Sequence, residues 1–223
     1  MIELDDVAVS YGGGELLAEM TLKLVPGSFH FLTGPSGAGK TTFLKLCYGE
    51  MMPTAGRVAL FGTDARAMGR DDLALLRRRI GVVHQDCQFL DHLSLAENIA
   101  LPLSVAGRTA NAQELMQLLG WVGLSARADA LPAELSGGER QRAALARAVI
   151  QSPEVIIADE PTGNLDWEMS LRLLTLLIEL NRMGKTVVIA THDLNLIRSV
   201  KAQVQARVLR IQNRRLHLAG ADL

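Results

Sequence analysis

Cysteine is scarce in this chain. Cys47 and Cys87 are too few for a disulfide scaffold, and neither belongs to a Cys-x-x-Cys pair, so small buried or half-buried thiols are expected rather than metal or redox sites. Net charge is also nearly absent: 23 Lys and Arg stand against 24 Asp and Glu, a balance of −1. That excludes the global basic field of nucleic-acid binders, and no nucleic-acid partner is expected. Long apolar runs are missing as well. The strongest, Val155 to Ala158 and Val187 to Ala190, fall far short of a bilayer span, and the start Met1-Ile2-Glu3-Leu4-Asp5-Asp6 is acidic where a secretory signal would be basic. A cytoplasmic chain is expected. No internal repeat, low-complexity tract or extended linker divides the sequence, so residues 1–223 are expected to form one unit.

What is present suits an α/β domain. The chain has 223 residues, 48% of them hydrophobic, enough to bury roughly 70–75% of the unfolded surface. Ile2 to Val9 alternates as a strand does and is broken by Gly12-Gly13-Gly14, while Leu22 to Leu24 and Phe29 to Thr33 read as further strands. Phe29 to Thr33 runs into a glycine-rich loop and then a helical pattern, Thr41 to Cys47. After Gln85 the periodicity changes: Leu95 to Val105, Ala112 to Trp121 and Gly138 to Ile150 have helical spacing. Residues 1–86 and 151–223 are therefore expected to form the core, with about 87–150 as a helical insertion. Strand signals return at Val155 and Val187, the helix Met169 to Arg182 lies between them, and Val204 to Leu218 is expected to form a hairpin turning at Gln212-Asn213.

The chemistry starts at Gly34-Pro35-Ser36-Gly37-Ala38-Gly39-Lys40-Thr41-Thr42. This run fits G-x-x-x-x-G-K-[ST] in full and lies between a strand and a helix, where a phosphate-binding loop belongs. Glycines let successive N–H groups curl around phosphate oxygens, and the helix start adds about half a positive charge. Lys40 is expected at the β- and γ-phosphates, Thr41 on Mg²⁺, and Thr42 nearby. The apolar run Val155-Ile156-Ile157-Ala158 ends in Asp159-Glu160. Asp159 is placed to hold Mg²⁺. Strand alternation is expected to turn Glu160 another way, toward the γ-phosphate and an attacking water, as general base. Further on, Ser136 has the character of a helix N-cap, and Gly137-Gly138 leaves room for close approach of a phosphate.

With Leu135-Ser136-Gly137-Gly138-Glu139-Arg140-Gln141, Asp159-Glu160-Pro161-Thr162-Gly163-Asn164-Leu165-Asp166 and Ala190-Thr191-His192-Asp193, the chain resembles the ABC ATPases along essentially its whole length. The resemblance implies an α/β fold: a P-loop NTPase core with an antiparallel β-subdomain and an inserted helical subdomain. It implies ATP hydrolysis with Mg²⁺ and a homodimer enclosing two ATP. It also implies site residues: Tyr11 stacking on adenine, Gln85 between Mg²⁺, the γ-phosphate and a membrane partner, and His192 at the γ-phosphate. Ser136, Gly137, Gly138 and Gln141 would face the ATP of a second subunit, and Asp166 would cross the interface.

Gln85-Asp86, Phe89-Leu90 and Ala100-Leu101-Pro102-Leu103 are similar to the short ATPases of large-periplasmic-loop permeases, and among them to the cell-division, FtsE-type branch. That branch implies an integral, permease-like FtsX-type partner, a peripheral place on the cytoplasmic face of the inner membrane, and signalling to peptidoglycan hydrolases. The ATPases of lipoprotein-release and macrolide exporters share Pro161 to Asp166 and are the alternative. Chromosome-maintenance ATPases need a long coiled coil, and the stretch between Gln85 and Ser136 has only the length of a helical subdomain. A nucleotide-gated scaffold without turnover is the remaining class, against which the set Glu160, His192 and Gln85 argues. Two features stay open at this level. Phe89 to Val105 reads as a partner groove or as ordinary core. The basic stretch Arg198 to Arg215 reads as a lipid-facing patch or as a solvated face.

Overall fold

The computed structural model describes residues 1–12 and 14–218, with Tyr11 given by its backbone alone. The described chain runs β1 (Ile2–Tyr11), β2 (Gly14–Leu24), β3 (Phe29–Thr33), α1 (Lys40–Cys47), β4 (Ala55–Leu60), β5 (Thr63–Asp64), α2 (Arg70–Arg77) and β6 (Ile80–Val83). It continues with α3 (Leu95–Val105), α4 (Ala112–Trp121), α5 (Gly137–Val149), β7 (Val155–Asp159), α6 (Trp167–Arg182), β8 (Thr186–Ala190), α7 (Leu194–Val200), β9 (Ala206–Gln212) and β10 (Arg215–Leu218). Two sheets result. One is antiparallel, in the order β2-β1-β4-β5; the other has the order β10-β9-β3-β8-β7-β6 and is parallel except for the edge strand β10. No described helix is long and apolar enough to cross a membrane.

The parallel strands are apolar throughout because both of their faces are covered. Alternation assigns each residue to one of two cores. Phe29, Phe31, Ile156, Ala158, Val187 and Ile189 face a core shared with α3, α4, α5, α6 and α7. Leu32, Val155, Ile157, Val188 and Ala190 face the other, shared with α1 and the antiparallel sheet. Cys47 is buried in this second core, which pushes its thiol far up; Cys87 is half-buried, its thiol raised to about 11 by burial.

Three boundaries differ from the sequence expectations. Leu22–Leu24 is only the end of β2, whose alternation begins at Gly14. β4 was not legible as a strand, because Gly56 and Arg57 interrupt its apolar pattern. The closing hairpin turns at Asn213-Arg214, one residue beyond Gln212-Asn213. Gln212 still pairs with Arg215, and the two turn residues take φ 50° and 67°, the left-handed pair that a tight hairpin twist demands.

Phe89 to Val105 mostly serves as core: Leu95, Ile99 and Leu103 are buried, and Phe89 packs against the cluster that holds Leu95 and Ile99, under the Arg147 guanidinium, 4.6 Å from its ring. Leu90 and Val105 remain exposed. Of the basic stretch, Arg215 pairs with Glu19 and Arg210 lies beside the glycine-rich loop. Asn98, fully buried, fastens the loop before α3. Its amide nitrogen donates to the carbonyls of Leu90, Leu93 and Ser94 at 3.0–3.1 Å, and its oxygen accepts from the Leu90 N–H at 2.8 Å. Asn98→Ala strands buried backbone groups and is expected to lower the unfolding free energy by about 1–3 kcal/mol in urea titration. A loss below about 0.5 kcal/mol, the scale of a surface change, would contradict this account of the loop.

Candidate active site

The parallel strands deliver their carboxyl ends to one place. After β3 the glycine-rich loop closes on α1, and its last residue, Gly39, sits at φ 96°, where an added Cβ would lie 2.7 Å from Leu17 Cδ2. Only glycine takes that turn at that distance. Lys40 follows with its side chain folded back over the loop. Its Nζ donates to the Gly34 carbonyl at 3.0 Å and to that of Pro35 at 3.4 Å, and lies 3.4 Å from Glu160 Oε1.

β7 ends at Asp159, whose Oδ2 accepts a hydrogen bond from the Thr41 hydroxyl at 2.7 Å. Its other oxygen, Oδ1, is buried and has no hydrogen-bond partner among the described residues. Glu160 lies beyond the strand and takes φ 44°, a left-handed conformation that costs a non-glycine residue of order 1 kcal/mol or more and is held by the surrounding structure. Its N–H donates to the Ala190 carbonyl at 2.9 Å, and its Oε2 accepts from His192 Nδ1 at 3.0 Å. Strand alternation was expected to turn Glu160 another way than Asp159, toward the γ-phosphate; with its left-handed φ, Glu160 lines the same cavity as Asp159 and the glycine-rich loop.

That cavity, of about 570 Å³, is lined by Ser36, Gly37, Gly39, Lys40, Thr41, Thr42, Gln85, Asp159, Glu160 and His192, together with Leu16. Gly34 and Pro35 line the adjoining crevice, and Ala38 packs toward the core below. Leu16 carries no motif. The only sequence signal for it is its place beside the buried Leu17 in an alternating strand. Tyr11 closes β1, and its side chain lies outside the described residues.

The remaining expected residues stand elsewhere. Ser136 caps α5: its hydroxyl donates to Glu139 Oε2 at 2.8 Å and accepts from the Glu139 N–H at 3.3 Å. The Ser136 N–H and hydroxyl, and then Arg127, hold the Glu139 carboxyl down to about 2. Asp166 caps α6 by accepting from the Met169 N–H at 2.8 Å. Ser136, Gly137 and Asp166 are exposed, Gly138 is half-exposed, and none of the four lines the cavity. Gln141 is buried, not on this surface: its amide nitrogen donates to the Gln85 carbonyl at 2.9 Å, so it supports the Gln85 loop from beneath.

The residues present fit a nucleotide with a hard divalent cation. A buried, unpartnered carboxylate oxygen beside a hydroxyl, with the Gln85 side chain on the same cavity, is an oxygen-donor set of the kind Mg²⁺ takes together with phosphates.

Comparison with known proteins agrees with this geometry. The ABC transporter family matches residues 17–163. The cell division ATP-binding protein FtsE of Haemophilus influenzae is 45% identical over 202 residues, covering 88% of this chain and 92% of that protein. FtsE of Escherichia coli K12 is 41% identical over 220 residues, 97% of each chain. Among solved structures, a dimeric post-hydrolysis state of the ATP-binding cassette MJ0796 bound to ADP and Pi superposes with a TM-score of 0.86. It is 32% identical and covers 99% of this chain and all of that one. A loop and helix start built for phosphate, two carboxylates on one cavity, and likeness over nearly the whole length lead to one conclusion: the chain belongs to the ABC transporter family, as an ATP-binding, ATP-hydrolysing subunit.

Proposed function

We propose that this chain dimerises around two ATP and uses their hydrolysis to drive conformational change in an integral, permease-like membrane partner of the FtsX type, in cell division. The observation that carries the catalytic part is the Glu160 carboxylate, held between Lys40 at 3.4 Å and His192 at 3.0 Å on the cavity wall. The relation to FtsE proteins supports the cell-division part. A peripheral place at the cytoplasmic face of the inner membrane follows from such a partner. Residues 87–150 act in this reading as the helical unit that carries Ser136 to the second subunit.

Each side chain then has a task. The loop from Gly34 to Gly39 and the start of α1 bind the phosphates through backbone N–H groups, and Lys40 meets the β- and γ-phosphates. Thr41, Asp159 and Gln85 would hold Mg²⁺, which supplies charge neutralisation at the phosphate oxygens. Tyr11 stacks on the adenine. Phosphate charge competes for Lys40 and draws it off Glu160, leaving the carboxylate oriented by His192 alone. Glu160 then takes a proton from a water whose oxygen bonds to the γ-phosphorus, while the bond from that phosphorus to the bridging oxygen breaks, releasing ADP and phosphate. Ser136, Gly137 and Gly138 close over the ATP of the partner copy, and Asp166 reaches across the interface. Gln141 acts through the Gln85 loop.

Three outcomes test this. Glu160→Gln removes the base but keeps the shape, so turnover is expected to fall by roughly 10²- to 10⁴-fold, while ATP binding persists and a dimer accumulates. A monomer on size exclusion in saturating Mg-ATP would sink the sandwich. Lys40→Ala leaves phosphate charge unmatched and is expected to cost about 1.5–3 kcal/mol of ATP affinity, read by calorimetry; unchanged affinity removes the lysine from this role. Purified from membranes with its partner, the chain is expected to bring down an FtsX-type protein. Recovery of a lipoprotein-release or macrolide-export permease instead would assign it to the alternative branch.

A further inference from the structure

Trp167 is the first residue of α6, immediately after Asp166, and it is 50% exposed. The chain's other tryptophan, Trp121, is partly buried, and its Nε1 donates to Glu179 Oε2 at 2.8 Å. A large aromatic on a rigid helix start, left open to solvent, has the character of an interface anchor. Its surroundings point the same way. A Cβ added at Gly138 would lie 3.0 Å from Met169 Cε and 3.9 Å from Leu165 Cδ2, and one at Gly137 would lie 3.9 Å from the Asn164 carbonyl oxygen. The start of α5 and the segment 164–169 therefore lie against each other, and Trp167 extends the exposed face that carries Ser136 and Gly137.

The same chain also carries a receptor for such a side chain. Beside the glycine-rich loop lies a largely apolar crevice of about 430 Å³, lined by Pro35, His192, Leu194, Arg210 and Ile211. It adjoins the nucleotide cavity, sharing His192 with it. The knob thus continues the face of Ser136 and Gly137, and the hole continues that of the glycine-rich loop. A two-fold pair that sets one face on the other repeats every contact twice.

We propose that Trp167 of each copy inserts into the crevice between Pro35, Leu194 and Arg210 of a second copy of this chain when two copies close on ATP. This inference rests on the sandwich reading given above and adds to it a specific anchor. The guanidinium of Arg210 on the crevice wall offers the indole a cation–π contact. Because Trp167 lies outside its own nucleotide cavity, its contribution goes to association between copies, not to the nucleotide affinity of a single copy.

The full chain carrying Glu160→Gln and Trp121→Phe leaves Trp167 as the sole tryptophan, excited selectively beyond the absorption of Tyr11 and Tyr48. With Mg-ATP, a dimer on size exclusion, a blue-shifted Trp167 emission and a severalfold loss of acrylamide quenching are expected. The same readings as a difference between Glu160→Gln and Glu160→Gln/Trp167→Phe serve if the Trp121 change unfolds the chain. Trp167→Ala in the Glu160→Gln background is expected to raise the dimer dissociation constant roughly 30-fold or more, the scale of an interface hot spot, with the ATP affinity of the monomer, read at chain concentrations below dimer formation, unchanged. Leu194→Ala is expected to weaken the dimer too, and to add little once Trp167 is gone. A dimer whose Trp167 emission and quenching do not change with ATP overturns this proposal alone. Additive effects of Trp167→Ala and Leu194→Ala overturn it as well, and so does a Trp167→Ala monomer that has lost ATP affinity. A Glu160→Gln chain that stays monomeric overturns the sandwich reading and this one with it.

Discussion

The hydrogen-bond ladder joining β3, β8 and β7 runs past the last regular residue of the strands. Ala190 is aligned with Leu32 on one side and Asp159 on the other, and the ladder continues with the Thr191 N–H donating to the Leu32 carbonyl and the Glu160 N–H to the Ala190 carbonyl, at 3.0 and 2.9 Å. These bonds fix where three segments leave the sheet: the glycine-rich loop from β3, the acid pair from β7 and His192 from β8. A shift of register by one residue in any of the three strands would exchange the cores its side chains face and carry its catalytic group out of the cavity. The site thus draws its geometry from the sheet, whose buried strands are the least deformable part of the molecule.

A second linkage runs through α5. At its start, Ser136 and Glu139 hold each other in a reciprocal cap. One turn on, Gln141 donates to the Gln85 carbonyl; further along, Arg147 donates to the Gln88 carbonyl at 2.6 Å and covers the Phe89 ring. One helix therefore bears the exposed Ser136 and Gly137 at one end and grips the Gln85–Phe89 loop along its side.

Local chemistry was the legible part of the sequence. The glycine-rich loop could be placed because its nine residues are contiguous and its spacing alone fixes what each backbone group does. The acid pair was legible as a pair on the phosphate side, but not the left-handed backbone at Glu160, which nothing in the residue type announces. The resemblance set Gln141 facing the ATP of a second subunit, yet helical periodicity turns it inward beneath Gln85. Leu16 was invisible because it lines the cavity only by virtue of a sheet packed from elsewhere in the chain. The hairpin turn was misplaced by one residue, since the pairing of Gln212 with Arg215 is a property of two strands at once. Elements with local causes came through, and those defined by contacts across long sequence separations did not.

Adjacent residues in the central strands answer to different halves of the molecule. Ile156 belongs to the core beneath the helices, and its neighbour Ile157 to the core beneath the antiparallel sheet. The parallel sheet works as a bulkhead between two compartments that share no side chain. Drift in the helical compartment, where a partner's surface would have to be matched, can be absorbed there without disturbing the packing under α1. A lineage of such chains can acquire new partners on one side of the wall while the phosphate loop, seated on the other, keeps its shape.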